Sequence, residues 1–134
     1  LIPECRESLA RWTAENRKTN VGTIQEEADA IEVLFNNMKE LELQGVCIKI
    51  GGRVEAFSIG ERMTDDMASI IIEKANSKYK GLYAAINQMF LISNWQSFRL
   101  VNRAEDMGLE NLRITKLEYH PCRLAMKYIL TYQK

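Results

Sequence analysis

Four places in this chain carry residue types that do chemistry. The first is Lys78-Tyr79-Lys80-Gly81-Leu82-Tyr83, a polar turn that opens into an apolar-periodic helix. A helix start offers free amides and the positive end of its dipole, and glycine allows close approach, so a phosphate is its natural guest. Lys78 and Lys80 add positive charge; the alternative is a solvated turn before a helix. The second place is Asn102-Arg103, followed by Glu105-Asp106. An arginine holds a carboxylate or phosphate in a planar fork. The alternative for Arg103 is an internal ion pair with Glu73 or Glu105, and Asp106 reads as a cap for the helix after it. The third is Tyr119-His120: a tyrosine protonates a leaving group, and a histidine takes a proton near neutral pH. Against that stands a structural role for a lone histidine before proline. The fourth is Glu73, a carboxylate on an apolar strand and so a candidate buried base. Lys74 is not its partner, because neighbours on a strand face opposite ways.

Other chemistries lack their residues. The sequence holds no Ser-His-Asp order, no phosphate-binding P-loop and no G-x-G-x-x-G. Its three cysteines, Cys5, Cys47 and Cys122, stand far apart beside a single histidine. That excludes a structural zinc site or disulfide framework as an expectation, and fits a reducing cytoplasm. Lys plus Arg and Asp plus Glu number 18 each, so no globally basic nucleic-acid binder is indicated. No apolar run approaches the roughly 20 residues that span a bilayer, and no signal peptide is visible. The chain begins at Leu1 rather than Met, which reads as a piece of something longer.

Patterning supplies the elements that must hold these groups. Residues 4–19 read as a helix, with Pro3 in its first turn and Cys5, Leu9 and Trp12 on one face. Thr23-Ile24-Gln25-Glu26 reads as a capping box that starts a second helix reaching about Leu41. From Val46 the period becomes two, and Gly51-Gly52 predicts a tight hairpin to a strand over Arg53–Ile59. A third strand, about Ala68 to Ala75, carries Ile70-Ile71-Ile72 and suits a strand covered on both faces. A helix from Leu82, a short strand over Phe98–Val101, a helix over Leu109–Leu117 packing through Leu109, Leu112 and Leu117, and a last strand over Arg123–Tyr132 follow. The order α-α-β-β-β-α-β-α-β is a mixed α/β layer fold, read as one domain over residues 1–134.

Five local blocks sharpen this. They are Ala56-Phe57-Ser58-Ile59-Gly60-Glu61, Glu73-Lys74-Ala75, Gly81 to Gln88, Asn102 to Gly108, and Lys116-Leu117-Glu118-Tyr119-His120-Pro121. In this order they resemble an uncharacterised bacterial family related to the C-terminal domain of lysyl-phosphatidylglycerol synthases. The resemblance implies a GNAT-like acyltransferase fold with its first strand missing, and an upstream GNAT-like half in the same protein. It implies acyl or aminoacyl transfer from acyl-CoA or aminoacyl-tRNA to an amine or hydroxyl, without a metal. Lys78, Lys80, Gly81, Asn102 and Arg103 would bind the donor, and Glu73, Tyr119 and His120 would act on the reacting groups. In GNAT enzymes the strand-to-helix turn reads Q/R-x-x-G-x-G/A. Here Lys78 and Gly81 stand in that pattern, whereas Tyr83 replaces a small residue. A tRNA or lipid head group is the implied partner. The alternative function is a non-catalytic module that supports or binds a partner domain.

Overall fold

A computed structural model describes residues 1–17, 21–105 and 109–132. The chain divides into two compact units, residues 1–104 and residues 105–134. The first unit contains α1 (Ile2–Asn16), α2 (Val21–Asn36), β1 (Gln44–Ile50), β2 (Arg53–Arg62), β3 (Met67–Ala75), α3 (Leu82–Asn94) and β4 (Leu100–Asn102). The sheet order is β1-β2-β3-β4, antiparallel except for the parallel pair β3–β4. The β1–β2 turn is made by Gly51 and Gly52 at φ 58 and 81°, the left-handed conformation that a two-residue hairpin demands.

Helices cover both faces of this sheet. On one, Phe57 and Ile59 of β2 pack with Cys5 and Leu9 of α1 and Ile31 and Phe35 of α2. On the other, Ala56 and Ala75 meet Leu82 and Ile86 of α3, while Ala68 and Ile70 meet Phe90 and Trp95. The most deeply buried strand is β2, from Val54 to Gly60; the isoleucine-rich β3 is covered on both faces but less completely, with Ile72 against the α1–α2 cluster and Ile70 against Phe90. Small residues at Ala56, Ser58 and Gly60 let α3 lie close, so the most buried strand is not the most apolar one. Gly60 sits at a register irregularity, where a β-carbon would come within 2.5 Å of the Ser69 carbonyl oxygen and 3.1 Å of the Phe90 ring.

Several element ends differ from the sequence reading. α2 starts at Val21, so Thr23 lies inside the helix instead of capping it. It stops at Asn36, where Asn36-Asn37 competes with the helical backbone. Lys18 to Asn20 and Asp106 to Gly108, including the expected cap at Asp106, lie outside the described residues.

The second unit holds α4 (Glu110–Leu117), with Glu110 in the first turn and Lys116 in the last, each matching the helix dipole. None of its residues is buried, and Leu109 and Leu117 are exposed, so the packing expected of this helix does not occur among the described residues. Over Arg123–Tyr132 the expected final strand forms no ladder. Alternating apolar residues cannot make a strand without a neighbour to take the backbone N–H and C=O groups.

Gly60→Ala is expected to destabilise the first unit by about 1–3 kcal/mol, because the backbone beside it cannot yield as a flexible side chain would. Urea unfolding checks this; an unchanged midpoint would contradict the packing of α3 on β2.

Candidate functional site: a gap beside the third strand

The parallel pairing of β3 with β4 is brief. It comprises Met67↔Leu100, Ala68↔Val101 and Ser69↔Asn102, and there it ends, while β3 continues to Ala75. Asn102 helps turn the chain away: its Oδ1 accepts from the Ala104 amide at 2.8 Å, and Ala104 takes a φ of 57°. The Asn76 amide donates to the Glu55 carbonyl at 2.8 Å, toward β2. Backbone direction alternates along a ladder, so the Glu73 and Ala75 amides point the other way, into the gap.

Glu73 projects on the α3 side of the sheet, and both its oxygens are engaged. Oε1 accepts from Arg103 Nη2 at 3.1 Å, and Oε2 from Asn87 Nδ2 at 2.8 Å. Glu73 and Arg103 are 15 and 24% exposed, and Asn87 is buried. Arg103 thus reaches back across the gap just after β4 ends, making the internal pair that its position beside Glu73 allowed. As a base, Glu73 would have to exchange one of these donors for a substrate proton. Sequence reasoning passed over Asn87, yet its signal was present: one amide set in the Leu82, Ile86, Phe90 stripe of an otherwise apolar helix face.

Lys74, the next residue, faces the opposite helices. Its Nζ lies 2.6 Å from Glu27 and 3.6 Å from the centre of the Trp12 ring, so the strand alternation separates it from Glu73 as expected. Burial pushes its pKa down, opposed by the Glu27 carboxylate.

At the other end of the gap lies the turn into α3. Asn76 holds it by donating to Glu55 Oε2 at 2.9 Å and accepting from the Lys78 amide at 3.0 Å. Gly81 precedes α3 with φ 80° and ψ 0°, and the space where its side chain would be is open. Lys80 is exposed, and the Lys78 ammonium pairs with Glu15 at 3.0 Å, a surface contact of small energy. Tyr83, from the first turn of α3, faces the Ala75 amide and the Trp12 indole with its hydroxyl, and burial raises its pKa. A tyrosine therefore occupies the edge of β3 where the gap is widest in sequence. Tyr119 and His120 belong to the second unit and are exposed there, with His120 at φ 50° as α4 ends. Thus the structure brings Glu73 and Arg103 together, places Lys78, Lys80 and Gly81 on the nearby turn, and leaves Tyr119 and His120 in the other unit.

The family described as "Phosphatidylglycerol lysyltransferase, C-terminal" matches residues 1–131. The chain belongs to that family. Among solved structures, a conserved protein of unknown function from Bacteroides thetaiotaomicron VPI-5482 is 31% identical with a TM-score of 0.84. The match covers 92% of this chain and 42% of that one, so this chain spans under half of that relative's length. A ribosomal-protein-alanine N-acetyltransferase from Brucella melitensis biovar Abortus 2308 aligns at 9% identity, covering 96% of this chain and 92% of that chain, with a TM-score of 0.63. A "possible acetyltransferase" from Clostridium difficile 630 aligns at 12% identity, covering 96 and 94%, with a TM-score of 0.61. At such identity these two show the fold, which is that of GNAT acetyltransferases. No curated protein matches the sequence.

If Glu73 and Arg103 act as a pair, Glu73→Ala and Arg103→Ala should each cost about 1–3 kcal/mol in urea unfolding. Together they should cost less than their sum by about 1 kcal/mol. Strict additivity would show that the two do not interact.

Proposed function

We propose that this lysyltransferase C-terminal domain takes part in acyl or aminoacyl transfer, with the activated carbonyl of the donor entering the gap between β3 and β4. The observation that carries the reading is the parting of the two strands after three residue pairs, which leaves the Glu73 amide directed at the opening. In the reaction an amine or hydroxyl attacks the carbonyl carbon. The new C–N or C–O bond forms, the bond to the thiol or to the tRNA ribose oxygen breaks, and the attacking group's proton ends on the leaving group. A backbone amide facing the developing oxyanion stabilises it without reorganising, and positioning supplies much of the rest. Arg103 contributes charge and rigidity at the rim. Tyr119 and His120 have the chemistry for proton transfer.

Of the two donor classes, aminoacyl-tRNA suits this domain better than CoA. The turn before α3 offers Gly81 and two exposed lysines to a phosphate, but Tyr83 stands where the acyl-CoA pattern has a small residue, and its ring opposes the close approach of a pyrophosphate. The same tyrosine supports a second reading, in which the domain is a non-catalytic wall or support for an upstream partner domain. A lipid head group as acceptor follows only from the family's description; among the described residues, no helix is long and apolar enough to cross a membrane.

Calorimetry on the full-length protein separates these readings. Aminoacyl-tRNA should bind, and Lys78→Ala and Arg103→Ala should each weaken it several-fold. CoA should bind the native protein poorly and gain affinity in Tyr83→Ala. Unchanged tRNA affinity in both charge variants would remove the proposed site. Absence of any binding to tRNA, CoA or acyl-CoA would favour the support role.

A further inference from the structure

Cys5 and Cys47 stand far apart in sequence, and the fold brings them together. Cys5 lies on α1 among Leu9, Phe35 and Phe57 and is 7% exposed. Cys47 lies on β1, opposite Phe57 in the ladder, and is half-buried against the same cluster. Both are free thiols, and the Cys47 side chain is within hydrogen-bonding reach of the Cys5 thiol. Beside them Lys49 of β1 donates to Glu4 Oε1 of α1 at 2.7 Å, a second tie between the same helix and strand. A cavity of about 90 Å³, lined in part by Cys5, Cys47, Met38 and Ile59, adjoins the pair and gives the side chains room to turn. β1 is the edge of the sheet opposite β4, so the two thiols lie outside the site described above. Burial pushes the Cys5 thiol up to about 11, so near neutral pH it is protonated and a weak nucleophile. Cys47 is the more accessible of the two.

We propose that Cys5 and Cys47 form a reversible disulfide that ties α1 to β1, made by exchange with a low-molecular-weight disulfide of the glutathione type. Cys47 gives up its proton and attacks one sulfur of the reagent. A bond from Cys47 Sγ to that sulfur forms, the reagent's S–S bond breaks, and one small thiol leaves with the proton. Cys5 then gives up its proton and attacks the Cys47 sulfur, releasing the second small thiol. Two protein thiols are thereby oxidised, and one external disulfide is reduced to two thiols. The second step is intramolecular, so proximity offsets the small thiolate fraction of a buried thiol. The product closes a loop that contains most of α1, all of α2 and the start of β1. Such a cross-link removes freedom from the unfolded chain and holds both helices on the sheet. Cys122, exposed in the second unit, serves as an internal reference for thiol reactivity.

The test treats the full-length protein with excess glutathione disulfide until Cys122 has reacted, quenches in acid, and maps the disulfide-linked peptides by mass spectrometry. Cys5 and Cys47 should be found joined within one polypeptide, with glutathione on neither, and dithiothreitol should restore both thiols. The joined form should melt several degrees higher than the reduced one. In Cys5→Ala the reaction should stop with glutathione held on Cys47. The wild-type map alone decides the pairing, so a core variant that fails to fold leaves the test intact. Both thiols still free once Cys122 carries glutathione, glutathione persisting on Cys47 of the wild type, or either cysteine joined to any other partner would each overturn the proposal.

Discussion

A strand that loses its neighbour must find other partners for its amides and carbonyls, and this domain is organised around one such loss. β3 is laddered to β2 along its length, but to β4 only from Met67 to Ser69. Beyond that point backbone pairing gives way to side chains. Arg103 reaches across to Glu73, Asn87 secures the second carboxylate oxygen, and Tyr83 covers the Ala75 amide.

What keeps the gap open is the packing on either side of it. Gly60 and the small residues of β2 let α3 lie flat on the sheet, so Phe90 and Trp95 hold the lower part of β3 while Leu82 and Ile86 hold the upper part. The helix start, and with it Gly81, is thereby set beside the end of β3. The Asn102–Ala104 turn then directs β4 away. Each device is local, and together they leave the upper part of β3 without a strand on the side of β4.

Much of this was legible in the residues. The Gly51-Gly52 hairpin, the helix after Gly81 and the opposite orientations of Glu73 and Lys74 follow from backbone conformation and period alone. The alternatives for Arg103 already included Glu73. Asn87 and the role of Tyr83 were harder to see, because each depends on which face of α3 meets the sheet. The isoleucine run in β3 marked a strand with cover on both faces, Ile72 against the α1–α2 cluster and Ile70 against Phe90, but it gave no sign that β2 is buried more deeply still. Apolar side chains mark what a strand carries, whereas burial on both faces depends on the small residues that admit a helix. The last strand failed for a different reason: Leu124 to Tyr132 have the alternation, but alternation alone makes no strand, and the segment is laddered to none of the described strands.

Residue-resolved amide exchange along the sheet addresses the central claim most directly. The Glu73 amide should exchange orders of magnitude faster than those of Phe57 and Ile59, which sit in the centre of the sheet with a strand on each side. Equal protection at Glu73, Phe57 and Ile59 would mean that β3 is paired on both edges, and there would be no gap for a donor to enter.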